Sequence, residues 1–542
     1  MKIALAQLNY HIGNFEANQA KIISNIQKAR AENVDLIVFS ELAVCGYPPR
    51  DFLEFDDFIE LCIGSVNTIA KECIGIAAIV GGPSWNEQNG GKKLYNTAFF
   101  LNEGKIISKH NKQLLPTYDV FDEYRYFEPA EQVQCIDYLG ERIALTICED
   151  LWNIDGLKLY PESPMEKLVK EQPDFIINIA ASPFAISQTD NRAEVLKWNT
   201  SKYKLPVFYV NHVGAQTELI FDGGSCVYDT NGELIEQFPF FEEYLSIFDT
   251  QQLQKEKGAK IPSKYEKMES ALVLGIKDYF KKLGFKKAVL GLSGGIDSAI
   301  TMALAVKALG KDNVLPILMP SQFSSEHSIS DSLALCENLG CAYEIIEIKD
   351  IYQSFDHQLA DLFKGTEFGI AEENIQSRIR GTLLMAQSNK LGSILLNTSN
   401  KSELAVGYGT LYGDMAGGLS VIGDVYKTEV FGLCRFMNRK KEFIPNNIIT
   451  KPPSAELRPD QFDSDSLPDY DILDTILLEY IENRQTPAAI IAKGFDETLV
   501  KRILQMVNIN EYKRHQTPPI LRVSSKAFGM GRRMPIVGRY LS

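Results

Sequence analysis

A short stretch near the middle of the chain carries residues suited to phosphate chemistry. Residues 291–298 read GLSGGIDS and lie between a strand pattern and a helix pattern. Two glycines allow close backbone approach, and their N–H groups, with the N-terminus of the following helix, can bind an anion. Asp297 lies inside this loop, and the lysine of a GxxxxGK[ST] loop is absent. A carboxylate beside phosphates is tolerable if it holds Mg²⁺, so we expect the loop to bind the β,γ-pyrophosphate of ATP as a leaving group.

The loop resembles that of the PP-loop ATP pyrophosphatases. Enzymes of that class adenylate an oxygen of their substrate and then displace AMP with a nitrogen or sulfur nucleophile. The resemblance implies ATP contacts at Gly291, Leu292, Ser293, Gly294, Gly295, Ile296, Asp297 and Ser298. The alternative for the loop taken alone is a glycine turn in an ordinary α/β fold.

Four further stretches are similar to the NAD⁺ synthetase family: 372–385, 396–430, 451–461 and 512–519. The resemblance implies that the substrate is deamido-NAD⁺, whose carboxylate is adenylated and then amidated. It implies that Mg²⁺ is held by Asp297 and Glu403, and that ATP is also contacted by Thr398, Lys427 and Ser454. The implied deamido-NAD⁺ contacts are Asn374, Arg378, Glu403, Asp414 and Lys513.

The chain departs from the shorter members of that family at two positions. It carries Leu411 where they carry lysine and Gly418 where they carry aspartate, so contacts at these two points do not carry over. Each implied residue taken alone is more often a surface charge or a helix cap. The ordered set is what favours the synthetase interpretation.

The nitrogen donor requires a second activity. Displacement of an adenylate needs a neutral amine, and little free NH₃ is present at neutral pH, so we expect a glutaminase in the first half of the chain. A Cys–His–Glu triad is disfavoured, because that half has three histidines and none pairs obviously with a cysteine. An N-terminal cysteine nucleophile is excluded because the second residue is a lysine.

Three stretches of the first half resemble the Glu–Lys–Cys triad of the nitrilase superfamily. They are IVFSELAVCGYPPRD with Glu41, HNKQLLPTYDVFDEYRYFEPA with Lys112, and IALTICEDLW with Cys148. The resemblance implies that Cys148 attacks the glutamine amide, that Glu41 moves the protons, and that Lys112 stabilises the oxyanion. Taken singly, Cys148 has the alternative of a buried core cysteine, and Glu41 has the alternative of a cap at the end of a strand.

The same resemblance implies that Tyr118 and Ser182 contact glutamine. Gln188 stands where the family often has lysine, so we expect a weaker glutamine contact there, with Arg192 as a partial substitute. The pairing of the two halves resembles that of the glutamine-dependent NAD⁺ synthetases. It implies internal transfer of ammonia and a homo-oligomer, at least a dimer through the synthetase half.

Composition excludes several other classes. The chain has 542 residues, with 45% hydrophobic and 23% charged, which is typical of a soluble protein of two or three domains. The net charge of −14 argues against a nucleic-acid partner. No signal peptide or membrane-spanning run is visible, so we expect no membrane partner. Nine cysteines without a CxxC pair argue against disulfides and zinc and favour the cytoplasm.

The elements that must position these residues form two different patterns. The first half mixes strand-like runs, helix-like runs and hairpins with turns at 102–104 and 231–232, which predicts a nitrilase-like α-β-β-α sandwich. From residue 288 strands alternate with helices, which predicts a doubly wound parallel sheet. The expected boundaries are a glutaminase domain at 1–248, a polar linker at 249–270 and a synthetase domain at 271–542, opened by a helix at 271–285.

Two other functions stay open on the residues alone. One is a PP-loop enzyme that modifies tRNA or a purine nucleotide, which the acidic charge, the absence of paired cysteines and residues 396–430 disfavour. The other is a non-catalytic scaffold with a degenerate nitrilase-like half, which the intact triad disfavours. The expected reaction is amidation of deamido-NAD⁺ by glutamine, with ATP cleaved to AMP and pyrophosphate.

Overall fold

The computed structural model contains two compact units, Met1–Ser263 and Lys264–Ser542. It describes residues 1–88, 90–157, 159–253, 255, 259–454, 456–459 and 461–541. The division between the units falls inside the 249–270 stretch. The helix predicted at 271–285 begins earlier and spans Lys264–Leu283. Its polar first turn precedes the buried Met268, so the apolar spacing alone placed the start about two turns too late.

The first unit is built mainly from strands. These are β1 (Lys2–Gln7), β2 (Leu36–Val38), β3 (Ala77–Trp85), β4 (Leu94–Asn102), β5 (Lys105–Asn111), β6 (Ile136–Tyr138), β7 (Glu141–Ile147), β8 (Phe175–Ala180), β9 (Val207–Asn211), β10 (Val213–Gln216), β11 (Leu219–Asp222), β12 (Cys226–Tyr228), β13 (Leu234–Gln237) and β14 (Tyr244–Asp249). Its α-helices are α1 (Phe15–Ala31), α2 (Asp56–Glu72), α3 (Pro164–Leu168) and α4 (Gln188–Tyr203).

These elements form the expected α-β-β-α sandwich. One six-stranded sheet has the order β14-β1-β2-β3-β4-β5, and the other has the order β13-β12-β9-β8-β7-β6. Alternate residues of β1 point to opposite faces, as the pleat of a strand requires. Ile3 and Leu5 pack in a core shared with β7 and β8, and Ala4 and Ala6 pack in a core shared with α1 and α2. Both predicted hairpins, β4–β5 and β12–β13, are present.

The second unit has a smaller sheet and many helices. Its strands are β15 (Ala288–Gly291), β16 (Val314–Leu318), β17 (Glu344–Ile345), β18 (Ile394–Asn397) and β19 (Leu419–Ser420). Its α-helices are α5 (Lys264–Leu283), α6 (Ile296–Leu309), α7 (Glu326–Leu339), α8 (Lys349–Leu359), α9 (Ile370–Leu391), α10 (Lys401–Val406), α11 (Lys427–Met437), α12 (Asn446–Thr450), α13 (Tyr470–Ile481), α14 (Pro487–Ile491), α15 (Glu497–Ile509) and α16 (Glu511–Arg514).

The sheet of the second unit is doubly wound, as the alternating pattern predicts. Its strand order is β17-β16-β15-β18-β19, and every strand pair is parallel. The chain moves outward from β15 to one edge and then returns to β18 on the other side. In such sheets, ligands bind beyond the carboxyl ends of the strands at this switch point. None of the described helices is both long enough and apolar enough to pass through a membrane.

Candidate active sites

The three predicted catalytic residues of the first unit all lie at or just beyond the end of a strand. Glu41 follows β2, Lys112 is the residue after β5, and Cys148 is the residue after β7. All three side chains are buried. The structure therefore brings together residues that are more than 100 positions apart in the sequence.

Lys112 lies at the centre of this cluster. Its Nζ atom is 2.7 Å from Glu41 Oε1 and 2.9 and 2.8 Å from the two carboxylate oxygens of Glu123. Asn96 donates to Glu41 Oε1 at 2.7 Å, and Tyr47 donates to Glu123 Oε1 at 2.9 Å. The remaining oxygen of Glu41 accepts a hydrogen bond from the backbone N–H of residue 181 at 2.9 Å.

The charges of this cluster depend on one another. Burial disfavours the charged form of Lys112, but Glu123 and Glu41 outweigh it and raise its pKa well above the ordinary value. Burial raises the pKa of Glu123 from 4.5 to about 7, even though the Lys112 charge acts in the opposite direction. Lys112 is thus held as a cation in a site that is closed to water.

Cys148 occupies a strained position. Its φ angle is +44°, in the left-handed region that side chains other than glycine rarely adopt. Burial raises the pKa of its thiol well above the ordinary value, and Glu41 raises it further, whereas Lys112 lowers it. A thiol in this environment is protonated at neutral pH and needs a base before it can act as a nucleophile.

The residues expected to contact glutamine have identifiable partners. The Tyr118 hydroxyl donates to both carboxylate oxygens of Glu149 at 3.0 Å, and Tyr160 donates to the same carboxylate at 3.1 Å. The backbone N–H of Ser182 donates to Asn211 Oδ1 at 2.9 Å. Gln188 is the first residue of α4 and is half-buried.

Arg192 is not available as a substitute for the missing lysine. It is buried and donates to both carboxylate oxygens of Asp222, at 3.1 and 2.7 Å. The family often has a lysine where this chain has Gln188, and Arg192 was expected to replace that lysine in part. Because the Arg192 guanidinium is bound to Asp222, this expectation was wrong. The pair instead supports Asn211, whose amide lies 3.4 Å from Asp222 Oδ1.

The sequence interpretation missed two buried carboxylates beside the triad. Glu123 pairs with Lys112, and Glu149 follows Cys148 directly and is 2% exposed. Glu123 lies in the HNKQLLPTYDVFDEYRYFEPA stretch among other acidic residues, and no periodicity distinguishes it from them. Glu149 could have been found from the sequence, because it is an acidic residue immediately after the expected nucleophile, Cys148.

The second unit contains a cavity of about 720 Å³ at the switch point of its sheet. The predicted residues that line it are Gly291, Leu292, Ser293, Gly295, Ile296, Asp297, Ser298, Thr398, Glu403, Asp414, Lys427 and Ser454. Thr398 follows β18, and the Ser454 hydroxyl donates to the carbonyl of Gln461. The cavity thus joins the loop after β15 to the loop after β18, as the topology requires.

The loop after β15 has a shape that depends on glycine. Gly294 has a φ of +77°, and a Cβ atom there would lie 2.4 Å from the carbonyl oxygen of Ser328. The hydroxyls of Ser293 and Ser298 are 3.2 Å apart, and the N–H of Gly295 donates to Ser293 Oγ at 3.2 Å. Helix α6 begins immediately afterwards, so its N-terminal N–H groups face the same side as the loop.

Two carboxylates and a lysine lie beside this loop. Lys427 Nζ pairs with Asp297 Oδ2 and lies 3.6 Å from Glu403 Oε1. Asn400 donates to Asp297 Oδ1 at 3.0 Å, and its own Oδ1 accepts from the N–H of Glu403. Burial raises the pKa of Glu403 to about 8, and the nearby Asp297 contributes to the rise.

This donor set fits a magnesium ion. Carboxylate oxygens are the ligands that Mg²⁺ prefers, and two of them with substrate phosphates are typical of nucleotide sites. The repulsion between Asp297 and Glu403 is one that a divalent cation would relieve. In the described part of the chain, no group of three or more His, Cys, Asp or Glu side chains is placed to hold a metal by itself.

Four of the five residues expected to contact deamido-NAD⁺ gather around the 407–414 segment, and the fifth, Glu403, lies beside Lys427. Lys513 Nζ donates to the carbonyls of residues 407 and 409 at 2.8 and 2.9 Å, and Arg378 Nε donates to the carbonyl of Leu411 at 3.3 Å. Asn374 Oδ1 accepts from the Thr410 hydroxyl at 2.6 Å, and Asp414 Oδ1 accepts from the Thr410 N–H at 2.6 Å. Asp414 lines the cavity, whereas Asn374, Arg378 and Lys513 bind the backbone or side chains of this segment.

The fold and the two sites define a class of protein in which a hydrolase unit is joined to a synthetase unit. The carbon–nitrogen hydrolase family model matches residues 2–256, and the NAD synthase family model matches residues 268–517. A glutamine-dependent NAD(+) synthetase from Synechocystis sp. is 47% identical over 546 residues, which cover 98% of each chain. One from Acinetobacter baylyi is 42% identical and covers 99% of this chain and 98% of its own length.

Solved structures give the same result. The glutamine-dependent NAD⁺ synthetase from Acinetobacter baumannii, in complex with adenosine diphosphate, is 39% identical with a TM-score of 0.79. The alignment covers 99% of this chain and 98% of that one. The corresponding structure from Cytophaga hutchinsonii, at 21% identity and a TM-score of 0.83, supports the fold. This chain belongs to the glutamine-dependent NAD(+) synthetase family, and it is an enzyme of the carbon–nitrogen ligase class.

Proposed function

We propose that this enzyme converts deamido-NAD⁺ to NAD⁺, takes the nitrogen from glutamine, and cleaves ATP to AMP and pyrophosphate. The observation that carries the proposal is the switch-point cavity. It is lined by a glycine-containing loop that has Asp297 inside it, with Lys427 and Glu403 beside that aspartate. A loop of this kind suits binding of a departing pyrophosphate rather than transfer of the terminal phosphoryl group.

In the first unit, the thiol of Cys148 loses its proton to Glu41 and attacks the amide carbon of glutamine. The proton passes from Glu41 to the leaving ammonia, and a thioester remains on the sulfur. Glu41 then takes a proton from water, whose oxygen attacks the thioester, and glutamate leaves as the thiol is restored. The cationic Lys112, held by two carboxylates, stabilises the oxyanion of each step. Tyr118, Ser182 and Gln188 are proposed to contact glutamine.

In the second unit, a carboxylate oxygen of deamido-NAD⁺ attacks the α-phosphorus of ATP and pyrophosphate leaves. Ammonia then attacks the acyl carbon of the adenylate, AMP leaves, and the amide loses a proton. The N–H groups of the loop and the hydroxyls of Ser293 and Ser298 are proposed to hold the pyrophosphate. Asp297 and Glu403 would hold Mg²⁺, which supplies charge neutralisation at the phosphates when it is bound.

The ATP and dinucleotide contacts follow the positions of the side chains. Thr398, Lys427 and Ser454 line the cavity and are proposed to contact ATP. Asp414 is proposed to contact the dinucleotide directly. Asn374, Arg378 and Lys513 are proposed to contribute to the same pocket while they hold the 407–414 segment in place.

We further propose that ammonia reaches the second site without release into solvent, and that the enzyme is cytoplasmic and at least dimeric. The passage of ammonia from the first site to the second is tested in one reaction that contains unlabelled glutamine and an excess of ¹⁵N-ammonium. We expect the NAD⁺ amide to carry mainly the glutamine nitrogen. If the NAD⁺ amide instead carries ¹⁵N in the proportion present in solution, ammonia is released into solvent and protected transfer is ruled out.

The oligomeric state is tested separately by sedimentation analysis, in which a monomer would contradict the proposed dimer.

The reaction itself is tested by its phosphorus products. Purified enzyme with deamido-NAD⁺, ATP, Mg²⁺ and ammonium is followed by ³¹P NMR. We expect AMP and pyrophosphate in equal amounts with NAD⁺. ADP and orthophosphate as the products would overturn the proposal.

A further inference from the structure

We propose that Arg380 binds the phosphates of ATP and stabilises their charge during adenylation. The proposal rests on the proposed function and adds to it a substrate-binding residue that the sequence interpretation did not single out. Three observations carry it: the position of Arg380 on α9, its hydrogen bond to the backbone, and the absence of a carboxylate partner among the residues that the structure describes.

One face of α9 forms a wall of the cavity. Ser377, Arg380, Gly381 and Leu384 all line it, and their spacing of three and four residues places them on one side of the helix. Arg378 lies on a different side, is exposed, and donates to the carbonyl of Leu411. Arg380 is therefore the cation that this face of α9 presents to the cavity.

A backbone hydrogen bond fixes Arg380 close to the phosphate loop. Its Nε atom donates to the carbonyl oxygen of Met319 at 3.0 Å, and Met319 directly follows β16. Strands β15 and β16 are parallel, with Gly291 opposite Ile317, so Met319 and the loop that follows Gly291 both lie beyond the carboxyl ends of neighbouring strands. With Nε engaged, the two terminal nitrogens of the guanidinium are left to bind a ligand.

Arg380 differs from the other cations around the cavity because it has no carboxylate partner in the described part of the chain. Lys427 pairs with Asp297, Lys451 with Asp331 at 3.1 Å, and Arg458 with Glu373 at 3.7 Å. Burial lowers the pKa of Arg380 to about 10, and more distant carboxylates offset only part of this. Arg380 is half-buried, and a cation partly withdrawn from water with no carboxylate partner among the described residues is costly, so the site favours an anionic ligand.

The chemistry of the ligand follows from the shape of the guanidinium. Its planar pair of N–H donors matches the oxygens of a phosphate, and the loop beside it lacks the lysine of other phosphate-binding loops. The phosphates need such a donor, because Lys427 is paired with Asp297, and Asp297 and Glu403 are placed to hold Mg²⁺ and cannot themselves contact phosphate oxygens favourably. We therefore assign Arg380 to the triphosphate rather than to the adenine.

The test uses Arg380→Met, which keeps length and apolar volume, and Arg380→Lys, which keeps the charge without the fork. NAD⁺ formation is driven by ammonium so that the glutaminase does not limit the rate. We expect Arg380→Met to lower kcat/KM for ATP about 10- to 100-fold, with a smaller loss for Arg380→Lys. Lys390→Met removes an exposed charge from the same helix outside the cavity and should match the parent enzyme.

A binding experiment separates a phosphate contact from general damage to the site. Calorimetry with ATP and with adenosine should show weaker binding of ATP to Arg380→Met and unchanged binding of adenosine. Equal loss for both ligands, or kinetics equal to the parent, would overturn the assignment of Arg380. That result is distinct from failure of the proposed reaction, which would appear in the parent enzyme as ADP and orthophosphate.

Discussion

Lys112 Nζ lies 2.7 Å from Glu41 Oε1, and neither side chain has any exposed surface. A second carboxylate, Glu123, binds the same ammonium from the other side at 2.8 Å. One buried cation is thus shared by two buried carboxyl groups. Such a cluster is weak evidence for stability, but removal of a single member leaves an uncompensated charge.

We expect Lys112→Met to abolish glutamine-driven NAD⁺ formation and to destabilise the first unit by about 3–5 kcal/mol, because two buried carboxylates lose their cation. Guanidinium unfolding midpoints measure the loss, and ammonium-driven NAD⁺ formation reports on the second unit. Lys109→Met is the matched control, since Lys109 lies on β5, three residues before Lys112, in an exposed pair with Glu87. It should change stability by no more than about 0.5 kcal/mol. Equal effects of the two substitutions would contradict the role of Lys112 as the cation that Glu41 and Glu123 require.

Glu123 should make stability depend on pH in a defined direction. Its pKa in the folded chain is about 7, above the ordinary value of 4.5, because the carboxyl is buried. The folded state therefore binds this proton more tightly than the unfolded state. The contribution of Glu123 to stability is fully present below pH 4.5 and is lost as the pH rises towards 7.

Glu123→Gln is neutral at every pH and should lack this dependence. We expect the unfolding midpoint of the parent, measured relative to that of the variant, to fall between pH 4.5 and 7 and then to level off. A relative midpoint that stays level over this interval would show that Glu123 in the folded chain is already ionised at pH 4.5 and would contradict the raised pKa.

The triad could be predicted from sequence because each member lies at or just beyond the end of a recognisable strand. Glu123 could not, since it follows no strand and becomes a partner of Lys112 only through the path of an irregular segment. The phosphate loop was predictable from glycines at a strand–helix junction. Arg380 was not predictable, because what distinguishes it is that it has no carboxylate partner among the described residues, and sequence patterns do not report partners.

Arg192 should act on glutamine binding through its neighbours. Arg192→Met leaves Asp222 buried without its cation, and Asp222 lies beside Asn211, which binds the backbone of Ser182. We expect a raised KM for glutamine and unchanged KM for ammonium. Glutamate release and NAD⁺ formation measure the two activities.

A second substitution tests whether the buried charge is the cause. Arg192→Met combined with Asp222→Asn should recover part of the lost stability, because no unpaired charge remains. Lys202→Met, in an exposed pair on the same helix, serves as the control. If the double variant is no more stable than Arg192→Met alone, the charge argument is wrong.

Gly294 is expected to tolerate no side chain. In Gly294→Ala the new methyl group would meet the backbone of Ser328 at 2.4 Å, so the phosphate loop must shift. We expect NAD⁺ formation with either nitrogen donor to fall at least about 100-fold, since a small misplacement in a catalytic site has that effect. Glutamate release by the first unit reports that the chain is folded.

Gly310→Ala is the matched control for backbone strain. Gly310 also has a positive φ, +85°, but a methyl group there meets nothing within 4 Å. We expect a modest loss of stability, about 1 kcal/mol, and little change in synthesis. Similar losses of activity in both variants would assign the effect to strain rather than to the contact with Ser328.

The central claim is that two chemically independent sites act in series, and Cys148→Ala tests it most directly. NAD⁺ formation by this variant is measured with glutamine and, separately, with ammonium. We predict no detectable product with glutamine and a rate close to that of the parent enzyme with ammonium. Loss of both activities in a variant that remains folded, or continued use of glutamine, would contradict the claim.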